Sequence, residues 1–379
     1  MKSKFSVKML VLLILILDGC GIKTQSSTTN LAPTVQAIES NRLIPTPTKK
    51  QDSQTIIIAD EGVRYYFEDL HTGSIEQWQP NNVVYRILRW GDKNCTLIAQ
   101  LESSISVIDM EGNSLDTIYS FENLPVSNDE GKNSFPTMSP NFKFLYYKVG
   151  YGEPIIPPDL SLSRFEKEYI ELAHVENIFP PIRISKNGGS WYAAWSPDST
   201  YIVYSDFDMN GILQIYISTF DGKSIKQVSG FDNEVEFINI AWSPNSKYFI
   251  VAYDVDNDWA ADATLLGDIS GGNVVVLENI VGWWWRDDVS IIGGEVGNGL
   301  IVFDVFKKIH LGNFQELDYR GYSAGQFKSP NVVGYFNGDG HFSTYDTITG
   351  KNEVFPNSTS PIYSLSYWTT LPDNIEDCK

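Results

Sequence analysis

Residues 191–211 read WYAAWSPDSTYIVYSDFDMNG, and residues 237–258 read FINIAWSPNSKYFIVAYDVDND. Each stretch closes a short apolar run on a tryptophan, Trp195 or Trp242. Ser-Pro-Asp or Ser-Pro-Asn follows, then a second apolar run and an acidic turn. Pro fixes φ, and Asp, Asn and Ser bond nearby backbone, so the Ser-Pro segment reads as a tight turn between two strands. After Trp195 the second strand is YIVYSDF. The DMNG turn comes next, where Asn210-Gly211 can take φ > 0. LQIYISTF alternates as a third strand, Asp221-Gly222 turns again, and SIKQVSG is the fourth.

The same pattern recurs along the chain. Trp90, Met138, Trp195, Trp242, Trp285, Phe327 and Trp368 each stand before a turn-like segment, at intervals of roughly 40–60 residues. Short strands at even spacing argue a sandwich, barrel or propeller. A period near 40–45 residues with four strands selects the propeller. The expectation is all-β: seven four-stranded blades, each covering its neighbours' apolar faces. Three strands precede the first anchor, TIIIAD, VRYYFEDL and SIEQWQ, and they lack an inner partner. The C-terminal strand 361–368 is expected to supply it, so that the two ends share one blade and the ring has no unpaired edge.

Trp195-Ser196-Pro197-Asp198 and Trp242-Ser243-Pro244-Asn245 resemble the TolB-type propeller repeat, whose blades read aromatic-Ser-Pro-Asp-Gly-Lys and then an apolar strand. Met138-Ser139-Pro140-Asn141 and Phe327-Lys328-Ser329-Pro330-Asn331 match it in part. The resemblance is concentrated over about 130–260. It implies a fold more than an activity.

The N-terminus carries a different signal. Lys2, Lys4 and Lys8 precede an unbroken apolar run from Met9 to Leu17. That run is too short to cross a bilayer, which needs about 20 residues, and suits a signal peptide. Leu17-Asp18-Gly19-Cys20 resembles a bacterial lipobox, which implies acylation of the Cys20 thiol. Residues 21–54 are rich in Ser, Thr and Pro and read as a disordered tether. The expected organisation is a leader over 1–19, lipidated Cys20 and tether over 20–54, and a propeller over 55–379.

A formal net charge of −19 disfavours nucleic acid, where Lys and Arg do the phosphate work. It also disfavours direct adhesion to anionic lipid. Contact with a membrane is therefore expected through the anchor alone. With Cys20 acylated, Cys95 and Cys378 make an even pair in an oxidising compartment, and a disulfide between them is expected across the ring closure.

Signals for catalysis are weak. Gly321-Tyr322-Ser323-Ala324-Gly325 matches G-x-S-x-G, but a nucleophile elbow needs a helix after it, and QFKSPNVVGYF reads as strand. His71 and His174 read as surface or packing residues, and no Cys/His cluster has zinc spacing. Asp206, Asp208 and Asn210 open like a calcium loop, yet Ile217 stands where the bidentate Glu belongs. No cofactor is expected. In WWWRDD, 283–288, successive tryptophans in a strand should alternate between faces, so blade packing should take at least two. A stacking platform for a sugar or peptide is the alternative.

Turns between second and third strands share one face of the ring, and there the chain places its unusual residues. They include Tyr151 and Glu153 in GYGEPIIPPDLSLSRFE (150–166), Asp206 and Asp208, and Asp254, Asp256 and Trp259 in DVDNDWAAD. Loops on a rigid scaffold are where binding residues concentrate. The reading is a monomeric, lipid-anchored propeller that binds an envelope or extracellular protein, peptide or glycan without catalysis. The alternatives are a propeller lyase or glycan-active hydrolase, or a structural member of an envelope assembly.

Overall fold

The computed structural model describes residues 55–370, apart from 61–63, 70–74, 91–95, 121–131, 134–135, 156–163, 177–179, 256–260, 296–298, 315–324, 328, 338, 340 and 358–367. Cys20, Cys95 and Cys378, and with them the expected anchor and disulfide, lie outside the described residues, as do the leader and tether.

The described strands form seven antiparallel sheets arranged as a β-propeller, all but the first built from strands consecutive in sequence. Blade 1 joins the two ends. Trp368–Thr370 pairs with Thr55–Asp60, with Ile58 opposite Trp368, and Arg64–Asp69 and Ile75–Trp78 follow. Blade 2 runs from Val84–Trp90 to Ser114–Ser120. Blade 3 contains Thr137–Met138, the long pair Phe144–Ile155 and Arg164–His174, and Ile182–Arg183. Blade 4 runs from Ala193–Trp195 to Ile225–Gln227, and blade 5 from Glu236–Trp242 to Val275–Glu278. Blade 6 runs from Ile280–Trp285 to Ile309–Phe314, and blade 7 from Gly325–Phe327 to Asn352–Val354. Six of the seven repeat anchors end the inner strand of their blade; Trp368 begins its strand.

The second strands are apolar at their centres because those residues are buried on both sides. Phe249, Val251 and Tyr253 feed the core shared with blade 4, while Ile250 between them feeds the core shared with blade 6. Likewise Ile291 faces blade 5 and Ile292 faces blade 7. Further cores fill the seams between blades 1 and 2, 2 and 3, and 3 and 4. Each fully buried Ile or Phe contributes about 1.5–3 kcal/mol by leaving water. No single blade could collect that alone.

The Ser-Pro turns tie neighbouring blades together. In the turns of blades 3, 4 and 5, Ser139, Ser196 and Ser243 donate to the side chains of Asn141, Asp198 and Asn245 at 2.6–2.8 Å. The next position takes φ near +60° at Phe142, Ser199 and Ser246, where the TolB-type repeat carries Gly. A left-handed conformation costs a non-glycine residue roughly 1–2 kcal/mol. The two serines use their side chains. Ser199 Oγ accepts the Asn141 N–H from blade 3, and Ser246 Oγ accepts the Asp198 N–H from blade 4, both at 3.0 Å.

Candidate functional site

In a four-stranded meander the second-to-third turns and the links between blades lie at one end. The other turns lie at the opposite end. Blade 3 dominates the first of these faces. Its two central strands are 12 and 11 residues long, whereas second strands elsewhere have six to eight. At about 3.3 Å per residue the surplus projects roughly 15 Å beyond the neighbours. What the sequence suggested as loop surplus is thus partly strand: Gly150 pairs with Glu168 and Tyr151 with Lys167, and pairing resumes at Pro154–Phe165 after a register shift.

The base of this hairpin is clasped by residues from three strands. Arg183 donates through Nε and Nη2 to Glu171 Oε1, at 3.1 and 2.8 Å, and through Nη2 to the Tyr151 hydroxyl at 3.2 Å. Its guanidinium lies 4.7 Å from the Tyr169 ring centre and 5.8 Å from that of Tyr151. The two rings meet edge to face at 5.7 Å. Burial lowers the Arg183 pKa, but the bonds to Tyr151 and Glu171 outweigh that and raise it overall. Glu171 also accepts the Tyr147 hydroxyl at 2.8 Å, and burial together with that carboxylate pushes the phenol pKa well up. Arg183, Tyr169 and Glu171 were not legible as partners of Tyr151, because they sit on separate strands that only the register brings together.

The acidic residues expected on this face divide. Asp206 is 3% exposed and turned inward. It accepts the backbone N–H groups of Lys186, Asn187 and Gly189, and so holds the link from blade 3 to blade 4. Asp254 is fully buried. Asp208 caps its own hairpin, accepting from Asn210 N and Ile212 N at 2.8 and 2.9 Å. Those backbone bonds, the one from Ile212 first, lower its pKa. Tyr151 is half-buried. The side chain of Glu153, and Asp256 and Trp259 altogether, lie outside the described residues. The DxDxN spacing of Asp206, Asp208 and Asn210 therefore serves loop and hairpin geometry. Among the described residues no group of three or more His, Cys, Asp or Glu is placed to hold a metal ion.

Lys148 donates to the carbonyl of Trp191 and lies 3.8 Å from the buried Glu168. The Tyr192 hydroxyl bonds Glu236 at 3.1 Å. Asn239 reaches across to the carbonyl of Trp283 at 2.6 Å. His174 is a packing residue, edge-on to Phe144 at 5.2 Å, and its Nδ1 accepts the Glu176 N–H. On the opposite face a cleft of about 260 Å³, walled by Tyr248, Leu266, Val275 and Phe306, opens between blades 5 and 6. No helix among the described residues is long and apolar enough to cross a membrane.

No protein-family model matches this chain, and no curated protein matches it in sequence. Solved structures are similar in shape. An oligogalacturonate lyase in complex with manganese superposes with a TM-score of 0.50 at 12% identity, covering 82% of this chain and 84% of that one. The tricorn protease gives 0.46 at 10% identity over 86% of this chain and 36% of its own. TolB from Acinetobacter baumannii gives 0.36 at 14% identity, over 88% and 89%. What the lyase shares with this chain at that identity is the β-propeller fold.

Proposed function

We propose that this chain is a lipid-anchored, extracytoplasmic propeller that captures a protein, peptide or glycan partner without transforming it. The observation that carries the reading is the blade 3 hairpin: two strands of nearly double length, raised above the ring and stiffened at their base by Arg183, Tyr151, Tyr169 and Glu171. A rigid projection next to a net acidic surface suits a cationic peptide or protein segment. In this reading Tyr151, Glu153, Asp208, Asp256 and Trp259 make the contact. Asp206 and Asp254 support it from beneath.

The test is capture from a solubilised envelope extract by the full-length protein. Replacing Asp256 and Trp259 with Ala should leave folding intact and weaken capture at least ~10-fold, about 1.4 kcal/mol. Unchanged capture, with losses from substitutions on the opposite face, rejects the assignment. A polymer that is consumed instead of retained favours a propeller lyase or hydrolase. Stoichiometric co-purification of several envelope proteins favours a structural member of an assembly.

A further inference from the structure

The residue just after the third strand plugs the seam to the preceding blade. In blade 4 it is Phe220, whose N–H donates to the Thr200 carbonyl and whose ring lies 4.5 Å from Phe144 of blade 3. In blade 5 it is Ile269, bonded to the Lys247 carbonyl and packed into the core shared with blade 4. In blade 6 the same backbone bond, to the Val289 carbonyl, falls to Val305. Valine is the smallest of the three, and here the cleft of about 260 Å³ opens between blades 5 and 6. Leu266, Val275 and Val305 give it an apolar lining. Phe306 lies edge-on to Tyr248 across 4.8 Å and stays 45% exposed, so the cleft is open to solvent.

The turn that follows also departs from its counterparts. Between the third and fourth strands, blades 2, 4, 5 and 7 take positive φ at Gly112, Gly222, Gly271 and Gly350. Blade 6 places Lys308 there, at φ 56°, a conformation strained for a residue with a Cβ. Strain of this kind concentrates at ligand sites. Lys308 lines the cleft. Its neighbour Lys307 pairs with Asp304, but the Lys308 ammonium has no acceptor among the described residues. The cleft is also lined by Asp268. Its Oδ1 accepts Ser270 N and Oγ, and its Oδ2 accepts Asn273 Nδ2. A carboxylate has about four lone-pair sites, so Oδ2 keeps one. One cavity thus joins an apolar lining to an ammonium and a carboxylate that do not pair with each other.

We propose that this cleft binds a free aromatic α-amino acid. The ring enters against Tyr248, Phe306 and Val305. The carboxylate meets Lys308, and the ammonium meets Asp268 Oδ2. A zwitterion matches two fixed charges of opposite sign and adds no net charge to a protein at −19. The cleft lies on the face opposite the hairpin and does not rest on that reading.

The test uses the full-length protein and L-phenylalanine. Calorimetry should show saturable binding. It should be weakened at least ~10-fold for L-phenylalaninamide, which lacks the carboxylate, and for N-acetyl-L-phenylalanine, which lacks the ammonium. Lys308→Gly should weaken L-phenylalanine binding by the same factor while melting no lower than the original protein, because it restores the glycine of the other blades. Should it melt lower, Lys308→Met keeps the stem and removes only the charge, with the same loss expected. Met209→Ala, at the opposite end of the ring, should bind as the original does. Absence of saturable binding, full affinity in a folded Lys308 variant, or an equal loss in Met209→Ala overturns the proposal. N-acetyl-L-phenylalanine binding as tightly as the free amino acid overturns the zwitterion and points to a peptide C-terminus. Tighter binding of L-leucine overturns the aromatic assignment.

Discussion

Trp242, at the end of the blade 5 inner strand, donates its indole N–H to the carbonyl of Ala194 in blade 4 at 3.0 Å. The same bond recurs on both sides. Trp285 reaches Ala241 at 3.1 Å and Trp195 reaches Thr137 at 3.2 Å. Each acceptor immediately precedes the anchor residue of its own blade, so the repeat period in the sequence is the period of a latch between blades.

Removing one latch should loosen the ring without emptying its core. Trp242→Phe keeps most of the packing and leaves the Ala194 carbonyl without this donor, so a loss of about 1–2 kcal/mol is expected. Trp242→Ala adds a cavity and should cost about 3–5 kcal/mol. Urea unfolding followed by circular dichroism separates the two. Equal midpoints would show that the bond, and not the packing, carries the contact.

Ser246 holds φ at 60° and accepts the Asp198 N–H from blade 4. Ser246→Gly loses that bond but relieves the backbone. Ser246→Ala loses the bond and keeps the strain. The alanine variant should therefore be the less stable by about 1 kcal/mol, against the usual order in which glycine is worse. Thermal melts of both variants check it, and an alanine variant as stable as the glycine one contradicts it.

Asp206 should behave as a structural residue. Asp206→Ala leaves the Lys186, Asn187 and Gly189 amides without their acceptor and should cost about 2–3 kcal/mol. Amide hydrogen exchange should rise in 186–189 while the blade 6 strands stay protected. Asp208→Ala should speed exchange only at Asn210 and Ile212, whose N–H groups it accepts.

Acid should unfold the protein through its turn aspartates. At Asp221 the Lys223 and Thr219 bonds lower the carboxyl pKa to about 2. At Asp109, Asp198, Asp268, Asp287 and Asp304 burial raises the pKa, but turn hydrogen bonds outweigh it and leave each below the ordinary 3.8. Folded values below unfolded ones give stability that is complete above the unfolded pKa and is lost as pH falls through the folded one. The melting temperature should be flat with respect to these groups from about pH 6 to 8 and fall steadily from about pH 5 toward 2. Asp221→Asn should flatten the lowest part of that fall, and an unchanged slope would exclude Asp221 as a contributor.

The ring was legible because its anchors and Ser-Pro turns are local and repeated; Trp195 and Trp242 alone set strand, turn and period. The site was less so. In Tyr201–Phe207 every interior residue is buried, since a blade is covered on both sides. Alternation therefore could not tell that Asp206 points inward. The bulge at Trp283, which sends Trp283 and Trp284 to the seam with blade 7 and Trp285 to the seam with blade 5, was hidden for a related reason: period-two reasoning assumes an unbroken ladder, and nothing in WWWRDD marks the break. The Arg183–Tyr151 contact depends on register across a hairpin, which a linear motif does not encode.

The central claim, that a partner is captured on the face bearing the blade 3 hairpin, is tested most directly by placing a photo-crosslinking residue in the full-length protein. One variant carries it at Tyr151 and another at Ser270, in a turn on the opposite face. Cross-links to one partner from position 151, with none from 270, are the predicted result. Cross-links to that partner from position 270 alone would contradict the account.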